Sequence, residues 1–169
     1  MKIKDILQQN KVTISFEVFP PKKADGLEAV EKATQQIAAL KPDFMSVTYG
    51  AGGSTSKMTL EIASNLQQKY GVSVLPHLTC VSSSKSYVRD MVSQIKALGI
   101  ENIMALRGDI PQDGVVGTDY KYASDLIRDI KEQSDLCIGG IITGKGFYEK
   151  KFDLATVISK YQKDEGIIF

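Results

Sequence analysis

The chain is poor in the residues that build metal centres and disulfide frameworks: its 169 residues include two cysteines and one histidine. Cys80 and Cys137 lie on or beside apolar runs without ligand spacing, so both read as small buried thiols rather than a disulfide or a zinc site. A lone His77 cannot assemble a histidine-based centre, and no metal is expected. Charge of one sign is lacking too, since 21 basic and 20 acidic residues give a net charge of +1, spread along the chain. That balance leaves no basic stripe for nucleic acid and no acidic tail for disorder, and points to a small-molecule partner. No run approaches the roughly 18 apolar residues of a membrane span. Met1 to Asn10 lacks the apolar core of a signal peptide, so the cytoplasm is the expected compartment. Linkers rich in Pro, Gly or Ser, low-complexity tracts and charge runs are missing as well, which leaves a single domain over 1–169.

What the chain does have is a series of apolar runs that end in polar or ionisable residues. The first, Val12 to Phe19, reads as a strand that Pro20 and Pro21 cannot continue, so Glu17 falls at its C-terminal end. Strand ends of this kind carry catalytic groups in α/β barrels, and an apolar setting favours the protonated carboxyl that a general acid needs. A solvated Glu at the mouth of a strand is the plainer reading. Three further runs, Phe44 to Gly50, Val72 to Cys80 and Asn102 to Asp109, end the same way, which suggests one shared site.

Residues of equal parity share a face of a strand. Thr13, Ser15 and Glu17 therefore oppose Val12, Ile14, Phe16 and Val18; Ser46 and Thr48 oppose Met45 and Val47; Arg107 and Asp109 oppose Met104 and Leu106. The expectation is a greasy face on each strand for helices and a polar face lining a barrel interior that opens into a pocket.

Between the strands the apolar period changes to about 3.6, the helical value. Leu27, Val30, Ala33, Ile37 and Leu40 make one stripe; Met58, Ile62, Leu66 and Tyr70 a second; Val88, Met91, Val92, Ile95 and Leu98 a third; Ala123, Leu126, Ile127 and Ile130 a fourth. Gly71 and Gly99 stand where C-terminal caps belong, and Ser56 and Ser84 are candidate N-caps. A further apolar run follows at Leu136 to Thr143. Alternation at about 30 residues per unit implies parallel strands with right-handed crossovers, an α/β fold of the (β/α)8 TIM-barrel type. A closed barrel of that type takes about 250 residues, so the expectation here is an incomplete barrel of about five βα units. Its open sheet edges would invite homo-oligomers or other association.

The loop Gly50-Ala51-Gly52-Gly53-Ser54-Thr55-Ser56 follows a strand and precedes a helix, where backbone N–H groups can face a phosphate. Its spacing is not the dinucleotide fingerprint, and a flexible βα loop explains it equally. Gly144-Lys145-Gly146 lacks the rest of a P-loop. His77, after Pro76, is either a ligand contact or a satisfied core histidine. An aldolase or synthase barrel would need a lysine or metal ligands at strand ends that are not found.

Five segments carry a more specific signal: Ser15-Phe16-Glu17-Val18-Phe19-Pro20-Pro21, Ser46-Val47-Thr48-Tyr49-Gly50-Ala51-Gly52-Gly53, Pro76-His77-Leu78-Thr79-Cys80, Ala105-Leu106-Arg107-Gly108-Asp109 and Tyr122-Ala123-Ser124-Asp125-Leu126. In order and near-spacing they resemble the successive motifs of the methylenetetrahydrofolate reductase family, over about residues 1 to 140. The resemblance implies a flavoprotein of one-carbon and methionine metabolism. Such an enzyme moves hydride from NADH or NADPH through FAD to 5,10-methylenetetrahydrofolate, giving 5-methyltetrahydrofolate. It matches Glu17 to the general acid that opens the folate ring to an iminium, and Asp109 to the carboxylate near the flavin that also binds the pterin. Thr48, Tyr49, Ala51, His77, Arg107, Gly108, Asp109 and Ala123 match FAD-contacting positions. The cofactor brings the redox chemistry and the protein brings orientation and charge.

From about Gly140 onward the chain departs from the family. The Tyr-Pro-Glu-x-His-Pro motif and the Lys-containing helix that complete the family's flavin site have no counterpart, and no Pro or His follows Pro111. Residues 141–169 are a divergent segment in which a helix from Asp153 to Lys163 and a short apolar end at Ile167-Ile168-Phe169 are expected. The alternative to a reductase is therefore a catalytically incomplete remnant, at most a weak flavin- or folate-binding module.

Overall fold

The computed structural model describes residues 1–9, 11–21, 24–49, 56–111, 114–141, 153, 155–156 and 167–168. Strands and helices alternate along the chain: α1 (Ile3–Leu7), β1 (Ser15–Val18), α2 (Leu27–Ala38), β2 (Phe44–Val47), α3 (Ser56–Tyr70), β3 (Ser73–Thr79), α4 (Lys85–Ala97), β4 (Asn102–Leu106), α5 (Ala123–Gln133), β5 (Cys137–Gly139) and β6 (Ile167–Ile168). The strands form one sheet in sequence order, every neighbouring pair parallel. This is the α/β architecture of a partial TIM-type barrel, with β1 and β6 at the sheet edges among the described residues.

Register sorts the side chains into two faces. Phe16 pairs with Met45 and Met45 with Val74, while Val18 pairs with Val47. Together with Leu78, Ile103, Ala105 and Ile138, these residues meet the buried helix residues Leu66, Val88, Val92, Ile95, Leu126 and Ile130 in one core. Met45, Val47, Val74 and Ile103 are fully buried, and each such side chain contributes about 1.5–3 kcal/mol by leaving water. The opposite face carries Glu17, Ser46 and Leu75 in register, then His77 and Met104.

Three expectations change here. On β4 the faces are the reverse of those expected: Ile103 and Ala105 meet the helices, whereas Met104 and Leu106 pair with His77 and Thr79 on the Glu17 face. Parity separates the faces of one strand but does not say which is inner, and β4 is apolar on both. β1 is also shorter than Val12 to Phe19, with Val12, Ile14 and Phe19 exposed; as an edge strand it pairs only with the four residues of β2. Of the α2 stripe, Leu27, Val30 and Ile37 pack on the core, whereas Ala33 is exposed and Leu40 lies past the helix end at 70% exposure; Thr34 and Ala38, outside the stripe, are the buried residues of the helix.

The helix-end signals hold. Gly71 and Gly99 take positive φ after α3 and α4, the conformation a C-terminal cap uses. The Ser84 hydroxyl accepts from the Tyr87 amide at 3.2 Å, capping α4; Ser56, the other candidate N-cap, lies inside α3 as its first residue. The thiols of Cys80 and Cys137 are buried and free. Ile167-Ile168 forms β6; most of the expected helix from Asp153 to Lys163 lies outside the described residues, although residues 155–156 are helical and the Asp153 carboxylate accepts from the Thr156 amide.

One element had no place in the sequence expectations. Helix α1 lays Ile3 and Ile6 against Leu75, Phe44 and Met104, on the Glu17 face. Asn102, 1% exposed, secures it: Oδ1 accepts from the Ile3 amide at 2.8 Å, and Nδ2 donates to the carbonyls of Met1 and Val74. The Met1 amino group adds a contact with Glu101 at 2.5 Å. Asn102 and Glu101 stand where β4 begins, so the N-terminal end of this face is filled and the site lies at the other.

Candidate functional site

Glu17, one residue from the end of β1, meets two polar side chains from the next two strands. The Ser46 hydroxyl donates to Glu17 Oε1 at 3.3 Å, as the Glu17–Ser46 register dictates. His77 Nε2 lies 3.6 Å from the same oxygen, close enough for charge to be felt and too long for a hydrogen bond. His77 is 8% exposed and its Nε2 has no hydrogen-bond partner among the described residues. Burial holds its pKa below the ordinary 6.5, while the Glu17 charge pulls it back up. The imidazole is therefore neutral at pH 7 and offers a buried, unsatisfied nitrogen beside a carboxylate.

Glu17 itself is 46% exposed. The aromatic and β-branched neighbours that made its setting look apolar, Phe16 and Val18, turn to the helix face. They border it in sequence and do not bury it. Its chemistry comes instead from the interior face, where the half-buried Met104 and Leu106 lie beside His77 and Thr79, their partners across the β3–β4 pair.

The end of β4 is held by β3. The amides of Cys80 and Val81 both donate to the Arg107 carbonyl, at 3.2 and 2.8 Å. Gly108 follows with φ +83°, and a Cβ there would stand 2.9 Å from Thr79 Cβ, so both conformation and space require glycine. The turn leaves the Arg107 and Asp109 side chains exposed, with Arg107 Nε donating to the Gly108 carbonyl. Val81 also accepts from the Gly117 amide at 2.7 Å, which lays the loop after Asp109 across the β3–α4 connection.

The remaining expected positions fall around this centre. Thr48 extends β2, its amide donating to the Val18 carbonyl and its carbonyl accepting from the Thr59 hydroxyl. Tyr49 turns away from Glu17: its ring packs on the helix-side core and its hydroxyl lies 2.5 Å from that of Tyr87 on α4. Burial and that bond push the Tyr49 phenol well above its usual range. Ala123 opens α5, and Asp125, two residues on, accepts from the amides of Lys121 and Tyr122 as a cap. Ala51 and most of the glycine loop lie outside the described residues. A cleft of about 340 Å³ lined by Tyr49, Thr79, Ser82, Ser84 and Tyr87 adjoins the β2 and β3 ends.

Glu17, Ser46 and His77 thus meet directly, while Arg107, Gly108 and Asp109 form a second group anchored on the end of β3. Parity placed Ser46 on the Glu17 face; its bond to Glu17 depends on cross-strand register, which one strand's pattern does not contain. Tyr87 lies outside the apolar stripe of α4, and no local pattern singled it out. Asp125 had a legible capping signal, an acidic residue two positions into a helix.

Comparison with known proteins gives a consistent result. The family model described as methylenetetrahydrofolate reductase matches residues 2–143. A 5,10-methylenetetrahydrofolate reductase of Pectobacterium carotovorum subsp. carotovorum is 35% identical over 94% of this chain and 53% of its own length. Methylenetetrahydrofolate reductase (NADH) 1 of Arabidopsis thaliana is 37% identical over 85% of this chain and 25% of its own. The Escherichia coli (strain K12) 5,10-methylenetetrahydrofolate reductase is 35% identical over 77% of this chain and 43% of its own. The chain spans about half the length of these relatives or less.

Proposed function

Because the chain belongs to the methylenetetrahydrofolate reductase family, we propose that it serves the FAD-dependent reduction of 5,10-methylenetetrahydrofolate to 5-methyltetrahydrofolate, with NADH or NADPH as the hydride source. The observation that carries this reading is the Glu17 carboxyl at a strand end, bonded to Ser46 and 3.6 Å from a buried imidazole nitrogen that lacks a partner. A flavin fits the residues present: its flat apolar ring suits the half-buried Met104 and Leu106, and its polar edge suits His77 Nε2, buried without a hydrogen-bond partner among the described residues. When bound, FAD supplies the hydride chemistry.

The chain's own residues then hold and move charge. Glu17 delivers a proton to the folate nitrogen, so that the five-membered ring opens to an iminium ready to accept hydride. Its exposure leaves it open to substrate and to reprotonation from water. Asp109 and Arg107, presented by the Gly108 turn, set the charge at the rim, with Asp109 also holding the pterin. Thr48, Tyr49, Ala51 and Ala123 complete the flavin contacts in this reading, and no metal takes part.

Glu17→Gln in the flavin-loaded protein tests this. Folate reduction should fall about 10²–10⁴-fold, the value of a general acid, while FAD content and flavin reduction by nicotinamide persist. Parental folate turnover would remove Glu17 from the role. A second reading rests on the departure from the family after about Gly140, where the Tyr-Pro-Glu-x-His-Pro segment has no counterpart: the chain acts at most as a weak flavin- or folate-binding module that self-associates. Purification without yellow cofactor, as an oligomer by light scattering, would support it; a monomer with one tightly held FAD would overturn it.

A further inference from the structure

Glu17 poses a positional problem that the proposed function does not solve. Its side chain is 46% exposed on an edge strand, and a Glu in that position loses rotamer freedom when fixed, so solvent favours letting it swing away. Two groups meet the same oxygen, and the first of them holds it. Ser46 Oγ donates to Oε1 from β2, and His77 Nε2 faces Oε1 from β3. Among the described residues both contacts fall on Oε1, which leaves Oε2 to a substrate.

We propose that Ser46 is a positioning residue that latches Glu17 Oε1 above His77, holding the carboxyl over the interior face with its other oxygen presented to the ligand. This rests on the reading of Glu17 as the proton donor. The latch follows from strand register rather than chance contact, because Ser46 is the Cα partner of Glu17 and its hydroxyl projects from the same face. On this face β1 supplies Glu17, β2 supplies Ser46, and β4 supplies Met104, the Cα partner of His77. Among the described residues Glu17 is thus the ionisable group facing His77 from these strands. A latched Glu17 charge is felt by His77, and a swinging one is screened by water.

The chain contains one histidine, so its imidazole signals in an NMR pH titration report this pair without assignment ambiguity. The titration is run on the full chain. Glu17→Gln should lower the His77 midpoint from the parental value by removing the opposing charge. Ser46→Ala should lower it in the same direction, Ser46→Thr should restore it by keeping the hydroxyl, and Ser46→Ala added to Glu17→Gln should produce no further change. A parental midpoint in Ser46→Ala overturns the latch, as does an equal drop when Glu17 is already absent. Amide spectra confirm folding, and Ser46→Cys replaces Ser46→Ala if the latter unfolds. In the flavin-loaded protein Ser46→Ala should cut kcat for folate reduction about 5–10-fold with KM retained, the loss expected for one orienting hydrogen bond. The midpoint is independent of folate chemistry, so a folate assay insensitive to Glu17→Gln overturns the functional reading while the titration alone decides the latch.

Discussion

The two ends of the Glu17 face are built to opposite standards. At the N-terminal end Asn102 is 1% exposed and its amide makes three hydrogen bonds, with Ile3 and Ile6 closing the apolar surface around Leu75. At the C-terminal end, among the described residues, His77 Nε2 is buried without a hydrogen-bond partner, Glu17 is held by one long bond, and Arg107 and Asp109 project into solvent. A fully paired end stabilises; an under-paired end keeps polar groups for something other than the protein itself. In TIM-type folds this division between a stability face and a functional face is the rule.

The sharpest way to break the contrast is Asn102→Ala. It strands the Ile3 amide and the Met1 and Val74 carbonyls, so unfolding free energy should fall by about 2–3 kcal/mol. Urea denaturation checks this, and an unchanged midpoint would show that α1 contributes nothing. Gly108→Ala comes next. The positive φ and the 2.9 Å approach to Thr79 should cost about 1–3 kcal/mol and displace Arg107 and Asp109, lowering flavin affinity in a fluorescence titration.

The pH dependence of stability sharpens the same comparison with a smaller effect. Folding holds the His77 pKa below its ordinary 6.5, so the unfolded chain binds the extra proton. The stability of the neutral imidazole is complete above pH 6.5 and is lost as pH falls through the folded value, with a slope of at most about 1.4 kcal/mol per pH unit. Urea midpoints at pH 7.5 and 5.5 should therefore fall more in the parent than in His77→Gln; equal drops would disprove the assignment. Asp109→Asn should have the smallest effect, because Asp109 is exposed and screened. The midpoint potential of bound flavin should rise and folate affinity weaken. If neither changes, Asp109 is outside the site.

The alternation of strands and helices, the helix stripes from α3 to α5 and the capping glycines were legible in the sequence because each rests on local periodicity or backbone conformation. Glu17 was legible as a strand-end carboxylate followed by a proline pair. Its environment was not: Phe16 and Val18 adjoin it in sequence but point to the other face. The reversed faces of β4 have the same origin, since two apolar sets alternate there and the choice between them is made by register with β3. Helix α1 escaped because five residues carry too short a period; only Ile3, Ile6 and Leu7 hinted at it. The Ser46 bond and the β3 support of the Gly108 turn are contacts between strands, outside what any single segment records.

The Asn102 amide that holds α1 also sets an order of events in folding. A five-residue helix has no stability of its own, and its anchor lies 99 residues further along the chain. At about 5–20 residues per second on the ribosome, the first turn of this protein waits about 5–20 seconds before its partner has been synthesised. During that interval Ile3 and Ile6 remain exposed on a nascent chain, and α1 docks only after β3 and β4 have paired, as a late step whose contact order is among the highest in the molecule.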